Sequence, residues 1–165
     1  MSGREPIRVA ILTISDAGSR GERADSSGDL IAGWAAARGF VVTARSLVPD
    51  EVLEIVSVLT AWADSEQADL VLTTGGTGLT ERDVTPEATR AVLEREAPGI
   101  AEAIRMSAYP TFPRAALSRG LAGTRHKTLI VNLPGSNGGV RDGLGVLDSL
   151  VVHAVELIQG NRTGH

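Results

Sequence analysis

The sequence predicts an α/β fold: a three-layer α/β/α sandwich with a mostly parallel sheet and one antiparallel strand. Three observations carry this. Residues 7–14 are an apolar, β-branched run of strand length, and 40–48 and 69–74 read as two further strands. Stretches with helical apolar spacing separate them, so the connections are crossovers. A late pair of runs, residues 117–122 and 128–133, is joined by a short polar turn at 123–127, which reads as a hairpin and supplies the antiparallel strand.

Taken in order, residues 7–14 (IRVAILTI) form a buried first strand, followed by a polar, glycine-containing loop over residues 15–28. Leu30, Ile31, Trp34 and Ala35 then recur at helical spacing, and Gly39 ends that helix before the second strand. Asp50 precedes a stripe of Val52, Ile55, Val56, Leu59 and Trp62, a second helix with one apolar face. The third strand, 69–74, runs into Gly75-Gly76-Thr77-Gly78, and a loop of about ten residues follows before Thr85-Pro86, an N-cap and first-turn proline. Helical patterns cover 87–96 and 100–108, with Pro98-Gly99 between them and a break at 109–113. After the hairpin, Val140, Leu144, Leu147, Val151, Ala154 and Ile158 mark one last helix. The 165 residues make one domain, with flexible ends expected at 1–5 and 160–165.

Composition narrows the chemistry. With no cysteine, disulfides, thiolate catalysis and Cys-based metal sites are excluded. Sixteen basic against 20 acidic residues give a net charge of −4, with no Lys/Arg block, so a broad nucleic-acid footprint is not expected. No apolar run approaches the ~20 residues of a membrane helix and the start lacks an apolar h-region, so a cytoplasmic protein is expected. Trp34, Phe40, Trp62, Tyr109 and Phe112 are the only aromatics, too few for base-stacking platforms.

In a parallel sheet, ligands sit outside the carboxyl ends of the strands. That rim gathers Ser15-Asp16, Asp50, the 75–83 loop and residues 134–139, which include Pro134-Gly135-Ser136. Glycines at 75, 76 and 78 permit positive φ and leave main-chain N–H groups uncovered, in outline a phosphate cradle, although a tight reversal uses glycine for steric reasons alone. The Walker and dinucleotide fingerprints both fail, since Lys127 is the only lysine and Glu81 falls where the third glycine would stand. His126, His153 and His165 are too scattered for a metal cluster or triad.

Asp50 and Asp83 are the candidate catalytic carboxylates. On sequence alone Asp50 reads first as a cap of the helix it precedes, and Asp83 also as an acceptor within its own loop or a partner of Arg82. Two loop carboxylates beside an anion cradle suit Mg²⁺, which binds through one or two carboxylates plus substrate phosphates. Ser118-Arg119-Gly120 offers a guanidinium fork, and Pro134-Gly135-Ser136 opens a helix whose free N–H groups can receive an anion; a surface arginine and a plain turn are the alternatives.

Thr13-Ile14-Ser15-Asp16, Ser19-Arg20-Gly21-Glu22, Val48-Pro49-Asp50, Gly75-Gly76-Thr77-Gly78, Arg82-Asp83-Val84-Thr85-Pro86-Glu87, Ser118-Arg119-Gly120 and Asn132-Leu133-Pro134-Gly135-Ser136 together resemble the MogA/MoaB family of molybdenum cofactor biosynthesis. The resemblance runs in order over nearly the whole chain. It implies a MogA-like, molybdopterin-binding fold and transfer of AMP from ATP to molybdopterin with Mg²⁺, releasing pyrophosphate. It also implies catalytic aspartates at Asp50 and Asp83, a pocket built by the Gly75–Gly78 and Pro134–Ser136 segments, a homotrimer, and a MoeA-like molybdenum insertase as a partner. Glu81 stands where the family commonly has proline, and Asn137-Gly138-Gly139 replaces a Pro-Lys-type continuation. A non-catalytic molybdopterin-binding or scaffold protein of the MoaB type is the alternative reading, and another nucleotide-dependent enzyme on the same scaffold a third.

Overall fold

The computed structural model describes residues 3–160. Six strands, β1 (Arg8–Ile14), β2 (Val41–Val48), β3 (Leu70–Thr74), β4 (Arg95–Glu96), β5 (Ala122–Arg125) and β6 (Thr128–Leu133), form one sheet in the order β2-β1-β3-β6-β5-β4. β1 pairs in parallel with β2 and β3, and β3 with β6; β5 alone runs against the rest, antiparallel to both β4 and β6. Residues 9–12 show why the sheet is covered twice. Val9 and Ile11 point to one face and Ala10 and Leu12 to the other, and all four are fully buried.

On the first face, Val9, Ile11, Leu70, Leu72, Leu129 and Val131 pack under α2 (Ser26–Ala37), α5 (Pro98–Ala108), α6 (Asn137–Asp148) and α7 (Val151–Ile158). On the second, Ala10, Leu12, Val71 and Ile130 pack under α3 (Val52–Asp64) and α4 (Thr85–Val92). These are the three layers expected. Each fully buried Leu or Ile removes apolar area worth about 1.5–3 kcal/mol, so the two sheet faces hold the rim in place. Among the described residues no helix is long and apolar enough to cross a membrane.

Several boundaries differ from expectation. A short helix, α1 (Asp16–Ser19), interrupts the polar loop, and α2 begins at Ser26 rather than near Leu30 because Asp25 caps it, its Oδ1 accepting the Gly28 N–H at 3.1 Å. The helix expected over 87–96 stops at Val92. Leu93 turns extended, and the Glu94 and Ala97 N–H groups then donate to the Thr124 and Ala122 carbonyls, making β4. The strand expected at 117–122 lies instead at Ala122–Arg125, after a 3-10 turn at Pro113–Leu117. Asn132 accounts for the shift: its side-chain oxygen accepts the Leu121 N–H at 3.0 Å, displacing a ladder bond. The hairpin turn is therefore His126-Lys127 alone, with His126 at φ 49. The single last helix is two, α6 and α7, broken at Ser149-Leu150.

Thr85 does not cap α4; Val84 occupies that position, and the Thr85 hydroxyl is used elsewhere. Of the ends expected to be flexible, residues 1–2 and 161–165, His165 included, lie outside the described residues. Arg4 is paired with Glu156 at 2.5 Å.

Candidate functional site

β1 lies between β2 and β3, so chain connections leave it in opposite directions and the loops after β1 and β3 part. A crevice opens there, as at other switch points of parallel sheets. It is a cavity of about 560 Å³. Ser15 follows β1, Asp50 follows β2, Gly75, Gly76 and Asp83 follow β3, and Gly135 and Ser136 follow β6; all seven line it.

Glycine is required at two of these positions. Gly75 has φ 99, and a Cβ there would lie 2.2 Å from the Ile14 carbonyl oxygen, inside β1. At Gly76, φ 68, a Cβ would lie 2.3 Å from the Thr85 hydroxyl and 3.0 Å from Asp50 Oδ1. The turn is thus compressed between β1, α4 and the Asp50 carboxylate. Thr85, fully buried, holds it from the other side, donating its hydroxyl to the Gly75 carbonyl at 2.9 Å and its N–H to the Gly76 carbonyl at 3.1 Å. The Gly75 N–H donates to the Leu133 carbonyl at 3.2 Å, so that donor is spent on the fold. Of residues 75–78, read as an anion cradle, Gly75 and Gly76 border the cavity, and Gly75 does so without a free N–H. Thr77 and Gly78 do not border the cavity.

Asp50 does not cap α3. Glu51 is the cap residue, and Asp50 turns back to α1: its Oδ2 accepts the Asp16 N–H at 2.9 Å while its own N–H donates to Asp16 Oδ1 at 3.0 Å. Arg82 secures this exchange from above, donating twice to the Asp16 carboxylate at 2.9 Å and once to Glu51 at 2.9 Å. Asp83 accepts the N–H and hydroxyl of Thr80 at 3.0 and 2.8 Å through Oδ2, so it organises its own loop, and Arg82 does not pair with it.

The Asp16 and Asp50 carboxylates, joined by that exchange, have opposite electrostatics. Hydrogen bonds from Arg82 first, then the Asp50 N–H, hold the Asp16 carboxyl down at about 2. Burial pushes Asp50 up, and the negative charges of Asp16 and Asp83 add to that, against the pull of the Asp16 N–H and Arg82. Asp50 and Asp83 are therefore close enough to feel each other beside the same glycine turn.

The structure separates the remaining sequence-predicted residues. Asp16 stands behind Asp50, as a support. Arg119 lies outside the cavity, and its fork is occupied: Nε donates to the Gly78 carbonyl and Nη2 to the Asp83 carbonyl, both at 2.8 Å, and Nη1 meets Glu87 at 2.7 Å. It ties the 78–83 loop to α4. Ser118 and Pro134 border a second, smaller cavity of about 100 Å³ that meets the first at Ser136 and is walled by Ile104, Ala108 and Phe112. Sequence reasoning missed Thr13, Arg23, Asp25, Ser26 and Ser27, which also line the larger cavity; Asn137, within the rim segment 134–139, lines it too. Asp25 was findable as a helix cap three residues before Gly28; Arg23 carries no local signal.

A family model described as a probable molybdopterin binding domain matches residues 10–152, a span that contains every element of the rim. The chain belongs to that family. Its members serve molybdenum cofactor biosynthesis, and three relatives show how far the likeness reaches. The Drosophila melanogaster molybdenum cofactor synthesis protein cinnamon is 42% identical over 93% of the chain, which spans 26% of that relative's length. Molybdopterin adenylyltransferase of Helicobacter pylori is 38% identical over 95% of this chain and 90% of its own. The crystal structure of the molybdopterin biosynthesis enzyme MoaB from Thermus thermophilus superposes with TM-score 0.88 at 52% identity, covering 93% and 97% of the two chains. The fold of this chain is thus the fold of the family.

Proposed function

We propose that the chain is a molybdopterin adenylyltransferase, transferring AMP from ATP to the terminal phosphate of molybdopterin. The observation that carries this reading is the placement of Asp50 and Asp83 beside Gly75 and Gly76 in one cavity. A relative of nearly equal length that bears this activity as its name supports it.

A phosphate oxygen of molybdopterin attacks the α-phosphorus of ATP; the bond to the β-phosphate breaks, and pyrophosphate leaves with that bond's electron pair. No protein nucleophile takes part. Such transfers depend on positioning and charge neutralisation, which a rigid rim supplies. The donor set fits Mg²⁺. Asp50 and Asp83 are hard oxygen ligands, and no group of three or more His, Cys, Asp or Glu side chains able to hold a metal occurs among the described residues, so substrate phosphate and water would complete the shell. When bound, Mg²⁺ neutralises charge gathering on the leaving pyrophosphate. Burial of Asp50 among like charges favours a cation beside it. Gly75 and Gly76, lacking side chains, let a phosphate approach the turn, and Ser15 and Ser136 place hydroxyl-bearing cap residues on either side. The second cavity, meeting the first at Ser136, adds an apolar wall of Ile104, Ala108 and Phe112 beside it.

The test is one incubation of the purified protein with molybdopterin, ATP and Mg²⁺. Adenylylated molybdopterin and pyrophosphate are expected in equal amounts. Binding of molybdopterin without pyrophosphate release would make the chain a binding module instead. The same reading carries two expectations about assembly, a homotrimer measured by mass in solution and delivery of the product to a MoeA-like insertase.

A further inference from the structure

The charges that face the cavity do not balance. Asp25, Asp50 and Asp83 are three carboxylates, and Arg23 is the one cation among its lining residues. Every neighbouring arginine is already engaged. Arg45 holds Asp25 at 2.9 Å and Asp29 at 2.6 Å, Arg82 holds Asp16 and Glu51, and Arg119 is bound to Glu87 and two carbonyls. Among the described residues Arg23 makes no hydrogen bond or ion pair.

Its backbone, by contrast, is held on both sides. Ahead of it, Gly21 at φ 73 closes the end of α1, with the Gly21 and Glu22 N–H groups donating to the Gly18 and Ala17 carbonyls at 3.0 Å. Behind it, Asp25 is fixed by the Thr13 hydroxyl at 2.8 Å and by its cap on α2. A guanidinium carried on a held backbone, exposed at the mouth of a cavity and left without a partner, has its planar donor fork available for a bidentate anion. The glycine turn supplies no lysine or arginine to do this. We propose that Arg23 is the phosphate-binding cation of this cavity, receiving a phosphate group of the nucleotide or of the pterin substrate. The identity of those two substrates rests on the adenylyltransferase reading, whereas the phosphate chemistry does not.

The experiment compares wild type, Arg23→Gln and Arg23→Lys in calorimetric titrations with inorganic pyrophosphate, ATP with Mg²⁺, and molybdopterin, and in KM and kcat for the last two. Because Arg23 is exposed and unpaired, the melting midpoints of all three proteins are expected to coincide. Arg23→Gln is expected to weaken a phosphate-bearing ligand about ten- to a hundredfold, with KM rising more than kcat falls, and Arg23→Lys to recover part of the loss. Weakened pyrophosphate and ATP place Arg23 on the nucleotide; weakened molybdopterin alone places it on the pterin phosphate. Wild-type affinity of Arg23→Gln for all three ligands overturns the proposal, as does a loss matched by a fallen midpoint. A wild type that binds ATP, loses that binding with Arg23→Gln and yet forms no adenylylated product overturns the adenylyltransferase reading and leaves Arg23 its role. Normal turnover with unchanged KM in Arg23→Gln does the reverse.

Discussion

Asp69, just ahead of β3, and Asp50, just after β2, stand at opposite ends of the strands of one mostly parallel sheet, and their surroundings are opposite. Asp69 is 5% exposed and takes four donors: the Arg8 N–H, Nε and Nη2, and the Gln159 amide. Asp50 takes one, the Asp16 N–H, and faces the charges of Asp16 and Asp83. A carboxylate that only has to stabilise a fold is saturated by donors the chain brings along. One that has to meet a ligand keeps lone pairs open and carries an electrostatic cost until the ligand arrives. Arg23 extends the contrast to a cation, since at the other end Arg8 has Asp69 while at the cavity Arg23 has no partner in the described chain.

The contrast breaks most visibly in turnover. Asp83→Asn and Asp50→Asn are each expected to lower kcat by about a hundred- to a thousandfold while the circular dichroism spectrum stays native, since the loss falls on charge stabilisation. A variant with full Mg²⁺-dependent turnover would remove Asp50 and Asp83 from the reaction. The next effect lies at the opposite end. Asp69→Ala strands the Arg8 donors and is expected to cost about 3 kcal/mol in denaturant unfolding, with KM unchanged in the protein that remains folded.

Gly76→Ala sharpens the comparison by adding one methyl group between Thr85 and Asp50. Strain at φ 68 and the 2.3 Å approach are expected to cost about 1–3 kcal/mol of stability and to reduce kcat, because the Asp50 carboxylate must move. A smaller effect has the opposite sign. Because burial raises the Asp50 carboxyl in the folded protein, the ionised form opposes folding above that raised value. Asp50→Asn is therefore expected to be at least as stable as wild type near neutral pH, with the advantage shrinking as pH falls through the raised folded value toward the ordinary 3.8. The smallest effect is at Asp16. Its folded value of about 2 lies below the ordinary 3.8, so its contribution is present above 3.8 and is lost as pH falls toward 2. Arg82→Ala is expected to flatten that acid limb of the stability curve, and added salt to weaken it in part, since the Arg82 side chain is exposed while Asp16 is half-buried.

How much of this was legible in the sequence follows from the range of the physics involved. The β1, β2, β3 and β6 strands and the glycine turn are local patterns, and Asp50 and Asp83 are placed at the rim by topology alone. Residues 117–122 read as a strand, but Leu117 closes a 3-10 turn, the Arg119 N–H donates to the distant Thr77 carbonyl and the Leu121 N–H to the Asn132 side chain, partners that no local pattern records. Arg119 was misread because its partners, Gly78, Asp83 and Glu87, are 41, 36 and 32 residues away. The break between α6 and α7 was missed because the apolar spacing continues through Ser149-Leu150. Arg23 was invisible for the reason that makes it useful: its significance is the lack of a partner, which no pattern records.

The most direct test of the central claim is the electron paramagnetic resonance spectrum of Mn²⁺, standing in for Mg²⁺, with a non-hydrolysable ATP analogue and the protein. Immobilised Mn²⁺ in the wild-type complex, and a spectrum reverting to that of the free Mn²⁺-nucleotide in the Asp50→Asn, Asp83→Asn double variant, is the predicted result. Equal immobilisation in both proteins would show that the metal is held elsewhere and contradict the account.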